Sequence, residues 1–162
     1  MRMTIDDKIT SALKESTLAR LKLKSPVMVD AGTEVAVAIE KMNQTDYGYV
    51  LVMENGILIG IFTERDILMK MASISDTDGK SIDEFMTRDP VTLRIDSTIA
   101  KAVYEMSAHG YRHLPVLDKN GEKCVGMVAA KNIVKFVADF LPDQVYNLPP
   151  TPNQQMLTPE GG

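Results

Sequence analysis

The sequence predicts a mixed α/β (α+β) fold built from two tandem repeats. Three observations carry this. Short apolar, strand-like runs alternate with helical spacings of apolar residues. An Asn-Gly pair, Asn55-Gly56 and again Asn120-Gly121, sits between two such runs in each half, a strong hairpin signal. And the pattern between Pro26 and Ile67 recurs between Pro90 and Ile133. Each copy reads as a small three-stranded sheet with two helices.

Taken in order, Ile5, Ile9, Leu13, Leu18 and Leu21 fall at roughly helical spacing among Lys, Glu and Ser, which predicts an amphipathic leading helix from residue 5 to about 22. Its apolar side needs a cover, either the rest of the domain or a second copy of the chain. Ser25-Pro26-Val27-Met28-Val29 predicts a strand, Asp30-Ala31-Gly32 a turn, and Thr33 the N-cap of a helix that carries Val35, Ala38, Ile39 and Met42 and stops near Asp46. From Gly48, two apolar runs around Asn55-Gly56 form the hairpin, and Thr63 opens a helix reaching about Met71. The polar, glycine-containing stretch Ser73 to Lys80 reads as a connector.

The second copy is offset by 64 residues at Pro90-Val91, Ala100, Ala102, Met106, Tyr111 and Val116, then by 65 at Asn120-Gly121 and by 66 at Gly126 and Ile133. One residue is thus added on each side of the hairpin turn, where insertions are tolerated. Ser97 takes the capping place of Thr33, and a closing helix is expected from about Ala130 to Phe140, ahead of Pro142. The resulting expectation is a leading helix in 1–24, repeats at 25–72 and 89–141 with a linker at 73–88, and a proline-rich flexible tail at 142–162.

Composition narrows the function classes. At 162 residues, 44% hydrophobic and 25% charged, the chain can bury a core. A formal net charge of -4 argues against non-specific nucleic-acid binding, which needs an excess of Lys and Arg on one face. The single cysteine, Cys124, allows no internal disulfide, and no segment reads as a signal peptide or membrane span, so a cytoplasmic location without membrane insertion is expected. The two histidines, His109 and His113, form no metal cluster, and no phosphate loop or nucleophile elbow is present, so catalysis, a metal site and a catalytic cofactor are not expected. His109 is expected to close a helix, where a cation suits the dipole. Met42, Met69, Met71 and Met106 read as adaptable core filling.

The junction Gly60-Ile61-Phe62-Thr63-Glu64-Arg65-Asp66-Ile67-Leu68, with Tyr111-Arg112-His113-Leu114-Pro115-Val116-Leu117-Asp118 in the second copy, closely resembles the CBS domain, the repeat named after cystathionine beta-synthase. The resemblance covers about residues 25 to 140. It implies two repeats packed by their sheets around a pseudo-twofold axis, a Bateman module, with two clefts that in such modules often hold AMP, ADP, ATP or S-adenosylmethionine and report it to a partner. It also implies a frequent disc-like homodimer.

Residue chemistry supports one of these clefts. An ionised carboxylate, Asp66, can accept from both hydroxyls of a ribose, and Thr63 marks a helix start, where phosphate is favoured. The same Thr63-x-x-Asp66 spacing is also that of a helix capping box, and both readings stand at this point. By resemblance, Val91 and Thr92 lie beside the adenine. Tyr111, Arg112, His113, Pro115 and Lys131 complete the cleft, with Arg112, His113 and Lys131 supplying positive charge, while Arg65 is expected to face the opposite cleft. The second copy has Ala129 and Asn132 where the first has Thr63 and Asp66, and a neutral amide is the poorer partner for a diol. One competent nucleotide cleft and one weak or empty cleft are therefore expected. The leading functional expectation is a regulatory sensor that takes an adenosine nucleotide (AMP, ADP or ATP) as ligand and acts on an unidentified effector protein. The alternative is a module that dimerises without any small ligand.

Overall fold

Two sheets form because each repeat supplies one buried hairpin and one short parallel strand. The computed structural model describes residues 2–141; the expected proline-rich tail lies outside the described residues. In the first repeat, β1 (Met28–Asp30) runs parallel to β2 (Tyr49–Glu54), which pairs antiparallel with β3 (Ile57–Thr63). Asn55 and Gly56 both have positive φ, 50° and 80°, as the expected hairpin turn requires. In the second repeat, β5 (Leu93–Arg94) lies parallel to β6 (His113–Leu117), itself antiparallel to β7 (Cys124–Ala129). The helices are α1 (Ile5–Glu15), α2 (Val35–Thr45), the short α3 (Glu64–Asp66), α4 (Ile99–His109) and α5 (Ala130–Ala138).

Strand β2 is buried on both faces. Val50 and Val52 point into a core beneath α2, whereas Tyr49, Leu51 and Met53 meet Met127 of the second sheet. The two sheets therefore share an apolar seam, and each repeat keeps its own helix-side core.

Each helix-side core is completed by the segment that precedes the other repeat. Leu18 and Leu21 are buried with Leu93, Ile99, Leu114 and Val128 of the second repeat, and Ile82, Phe85 and Met86 are buried with Val35, Val50 and Phe62 of the first. Backbone bonds repeat the same exchange. The Val35 amide donates to the Lys80 carbonyl at 2.9 Å and the Ile82 amide to the Thr33 carbonyl at 2.8 Å. Likewise, the Ile99 amide donates to the Ser16 carbonyl and the Leu18 amide to the Ser97 carbonyl, both at 2.9 Å. The body of the domain thus covers Leu18 and Leu21, whereas α1 itself has no buried residue and leaves Ile5 exposed.

Several local expectations are corrected. The leading helix stops at Glu15, and its continuation is a tight turn, Leu18–Arg20, because Ser16 to Leu21 are drawn into backbone bonding with the second repeat. Thr33 does not cap α2. Its hydroxyl turns back to the Asp30 carbonyl at 2.6 Å, and Glu34 stands at the N-cap without a side-chain bond. In the second copy the cap is Thr98, accepting from the Lys101 amide at 3.2 Å, while Ser97 accepts from the Arg94 amide. The first sheet gains a fourth strand, β4 (Thr87–Arg88), from the expected linker. Beyond α3 the chain widens into a π-type turn, Ile67–Met71, and Met69 is 75% exposed there instead of packing as a core residue. The closing helix ends at Ala138, two residues short of Phe140.

Leu18 is fully buried although it precedes both repeats. Leu18→Ala should cost about 2–5 kcal/mol, as large-to-small changes in packed cores do, read as a drop in the urea midpoint with an unchanged slope.

Candidate functional site

Thr63 ends β3 and caps α3, which fixes Asp66 one turn further on. The Asp66 amide donates to the Thr63 hydroxyl oxygen at 3.3 Å, and Asp66 Oδ2 accepts from the Thr63 amide at 2.9 Å and from the Thr63 hydroxyl at 2.8 Å. Oδ1 accepts from Lys70 Nζ at 2.7 Å and from the Thr87 hydroxyl at 3.1 Å. With 7% exposure, Asp66 is a buried charge, and these partners offset its desolvation. The capping reading of Thr63-x-x-Asp66 is thus realised in the structure, and a diol at Asp66 would have to take the place of existing donors.

Asn132 solves the same problem in the second repeat with different chemistry. Its Oδ1 accepts from the Ala129 amide at 2.8 Å, and its Nδ2 donates to the Lys22 carbonyl at 3.3 Å. A carboxylate cannot donate, so Asp66 relies on Thr87 and Lys70 where Asn132 uses its own N–H group.

A second cluster gathers where β2 and β6 begin. The Tyr49 and His113 rings lie 5.2 Å apart across the sheet–sheet seam, Tyr47 stacks on Tyr49 at 5.6 Å, and Lys24 Nζ sits 4.5 Å over the Tyr47 ring. Thr63 is the cross-strand neighbour of Tyr49, and Ala129 that of His113. Burial foremost, then the positive charges of Lys131, Arg112 and Lys24, hold the His113 pKa below its usual value, and Glu64 opposes them. These cations share one edge of the molecule with Thr63. The Tyr49 hydroxyl is buried without a hydrogen-bond partner among the described residues, and burial pushes its pKa well up, so it stays neutral.

The two repeats differ in charge at this edge. Glu64 donates its amide to the Gly48 carbonyl at 3.1 Å, as Ala130 does to the Arg112 carbonyl at 3.0 Å. The first repeat thus has Gly48 and Glu64 where the second has Arg112 and Ala130. A Cβ on Gly48 would lie 2.9 Å from the Glu64 carboxylate, so this flexible carboxylate folds over the space beside Gly48.

Among the expected site residues, Arg112 and Lys131 place positive charge beside His113, and that charge together with burial disfavours the positive charge expected of His113 itself; Thr63 adjoins this group through its cross-strand neighbour Tyr49. Arg65 is exposed on α3. Tyr111 stacks on His109 at 5.2 Å, and His109, the last residue of α4, lies 3.5 Å from Glu105. Pro115 is buried within β6 opposite Met127, and Val91 packs against the second repeat's core. Thr92 borders a cavity of about 210 Å³ beside Ile57 and Leu58, at the hairpin end of the first sheet. From the segment preceding β5, it is Thr87 that reaches Asp66. A larger cavity of about 600 Å³, lined by Met28, Val37, Met53, Gly56 and Cys124 among others, is also at the hairpin end. Thr63 stands at the other end of β3, about 20 Å away at strand rise. Lys24, Tyr47, Tyr49, Lys70 and Thr87 were not expected.

Among the described residues, no group of three His, Cys, Asp or Glu side chains could hold a metal, and no helix is long and apolar enough to cross a membrane.

Comparison with known proteins bears on the whole unit. The family model described as "CBS domain" matches residues 19–73 and 82–139. An uncharacterized 17.7 kDa protein of Acidianus ambivalens is 31% identical over 129 residues, covering 79% of this chain and 75% of that one. An uncharacterized protein of Methanopyrus kandleri is 36% identical over 116 residues, covering 67% of this chain and 57% of that one. Among solved structures, a CBS domain, NE2398, superposes with a TM-score of 0.70 at 28% identity, over 76% of this chain and 98% of its own. CBSX2, solved in complex with AMP, gives a TM-score of 0.63 at 22% identity, over 76% of this chain and 96% of its own.

The lowered His113 pKa sets a pH dependence. Below about 6.5, the usual histidine value, the unfolded chain binds a proton that the folded chain resists, so this residue's contribution to stability is present above that pH and is lost as the pH falls toward the folded value. Melting curves from pH 7.5 to 5.5 should therefore fall more steeply for the wild type than for His113→Asn. Parallel curves would show that His113 is not the group responsible.

Proposed function

The chain belongs to the CBS-domain family, and on that premise we propose that it is a regulatory module which binds one adenosine nucleotide, of the AMP, ADP or ATP class, and acts by binding to a partner rather than by catalysis. The observation that carries this reading is the cationic edge of Lys24, Arg112 and Lys131 around the neutral-favouring His113 ring, in a protein of net charge -4, beside the aromatic rings of Tyr47 and Tyr49 and the Thr63–Asp66 turn. Phosphates are matched by the cations, and the ribose hydroxyls by the Asp66 carboxylate. The AMP complex of CBSX2 gives the ligand class a precedent in this fold. In the other half, the neutral Asn132 amide is a poorer acceptor for two hydroxyls than a carboxylate, which favours a single occupied cleft per chain.

The second reading, a ligand-independent pairing module, draws on apolar side chains left outside the cores. Leu68 is 71% and Met69 75% exposed on the turn after α3, and Val134 is 67% exposed on α5. Such side chains suit a homodimer contact, and pairing is compatible with both readings.

A melting screen against AMP, ADP, ATP and S-adenosylmethionine separates the two. A ligand at 100 times its dissociation constant should stabilise the fold by about 2.7 kcal/mol. Calorimetry should give one tight site per chain, abolished by Asp66→Ala. The Arg112→Ala, Lys131→Ala double variant should bind about tenfold or more weakly, from the loss of charge-assisted bonds. Two equivalent tight sites, or undiminished binding by Asp66→Ala, would remove the assignment of the ribose to Asp66.

A further inference from the structure

We propose that Lys70 is a gate on the Asp66 carboxylate: it closes the carboxylate in the free protein, competes with a diol ligand for Oδ1, and on displacement releases the 81–88 segment that completes the first repeat. This rests on the reading above, in which Asp66 receives the ribose.

A carboxylate offers about four lone-pair sites, and all are taken here. The two donors on Oδ2 come from Thr63 and form the cap of α3, so removing them would undo the local fold. Those on Oδ1 are of another kind. One is the ammonium of Lys70, whose side chain is 39% exposed and ends four rotatable bonds from its backbone; the other is the Thr87 hydroxyl from a different segment. Oδ1 is therefore the side that opens.

Lys70 does more than neutralise Asp66. Its Nζ also donates to the Phe85 carbonyl at 2.7 Å and lies 3.4 Å from the Thr87 hydroxyl. Its three N–H groups meet three acceptors, two of them on the segment that covers the first repeat's core. Asp66, Lys70, Phe85 and Thr87 thus form one closed set, and a diol that takes Oδ1 detaches Lys70 from Asp66 and weakens the hold on 85–87. Lys70 sits in the wide turn Ile67–Met71, a winding rarely used in regular helices and frequent at functional sites. The same turn holds Leu68 and Met69 outward, so a change at Lys70 reaches the exposed apolar surface within two residues.

The second repeat lacks the device. The position 66 residues beyond Lys70 is Phe136, packed against the core and against Phe140, and the Asn132 amide bonds the preceding segment directly. A partly buried aromatic packed against the core offers no ammonium to exchange with a ligand hydroxyl, as the partly exposed lysine does. Gating is confined to the first repeat, and it lowers the apparent affinity by the fraction of molecules in which Oδ1 is open.

The test is AMP calorimetry on the wild type, Lys70→Met and Lys70→Gln, with hydrogen exchange followed in peptides covering 67–71 and 81–88. Gln retains a donor, which protects folding if the Met variant leaves Asp66 too poorly compensated. Both variants should bind AMP at least tenfold more tightly than the wild type. In the wild type, AMP should speed exchange at 81–88. In ligand-free Lys70→Met or Lys70→Gln, exchange there should already be fast, and AMP should change it little. Equal or weaker AMP binding by both folded variants, or wild-type exchange rates in their ligand-free forms, would overturn the gate. Failure of AMP, ADP and ATP to bind any of the three proteins would instead remove the nucleotide reading, while the ligand-free exchange rates still decide whether Lys70 ties the two segments.

Discussion

A sheet of three short strands with two helices leaves part of its apolar face and the first amides of a helix without partners. In this chain each repeat receives those partners from the segment leading into the other one. Lys80 supplies the acceptor for the start of α2 and Ser16 the acceptor for the start of α4, while Ile82, Phe85 and Met86 close one core and Leu18 and Leu21 the other. The exchange ties the halves together in addition to the seam of Tyr49, Leu51, Met53 and Met127. It also brings Thr87 to Asp66 and Lys22 to Asn132, so the chemistry at both helix starts depends on it.

Against this symmetric frame, the substitutions that break the symmetry stand out. Gly48, Glu64, Asp66 and Lys70 in the first copy correspond to Arg112, Ala130, Asn132 and Phe136 in the second. The first half therefore carries an ionised, hydrogen-bonded network that a competing donor can rearrange, and the second half carries cations at the surface with neutral groups beneath them. A duplicated scaffold carries different groups in its two copies: one presents acceptors, the other presents positive charge, and the tilted rings of Tyr49 and His113, 5.2 Å apart, meet between them.

Much of this was legible in the residues. The Asn-Gly turns, the apolar runs of β2 and β3, the helix stop at Asp46 and the duplication all follow from patterns readable in the chain, and the structure has each of them. What escaped was non-local. Thr33 and Ser97 have the chemistry of N-caps, but Ile82 and Leu18 bond their carbonyls and the caps move one residue on, to Glu34 and Thr98. Met69 has the spacing of a core residue in an α-helix, and the π-type turn rotates it outward. At the candidate site, Arg112 and Lys131 were legible as local charge, whereas the charge expected of His113 is opposed by burial and by those same cations. Lys24, Lys70 and Thr87 were not legible, because their roles arise from the crossing of the two leading segments.

The crossing also sets an order in which the cores can close. Everything that the first core needs lies between Val29 and Met86, so it is complete once that stretch of chain is available. The second core runs from Leu18 to Ile133 and so must wait for nearly the whole described chain, the first partners of its leading segment, Leu93, Ser97 and Ile99, lying more than seventy residues further on. During synthesis from the N-terminus, the older half of the molecule can be sealed while Leu18 and Leu21 are still exposed. The repeat visible in the sequence and the unit that folds are therefore different objects: the first is a block of neighbouring residues, the second, in the C-terminal half, a loop of more than a hundred residues closed by its own beginning.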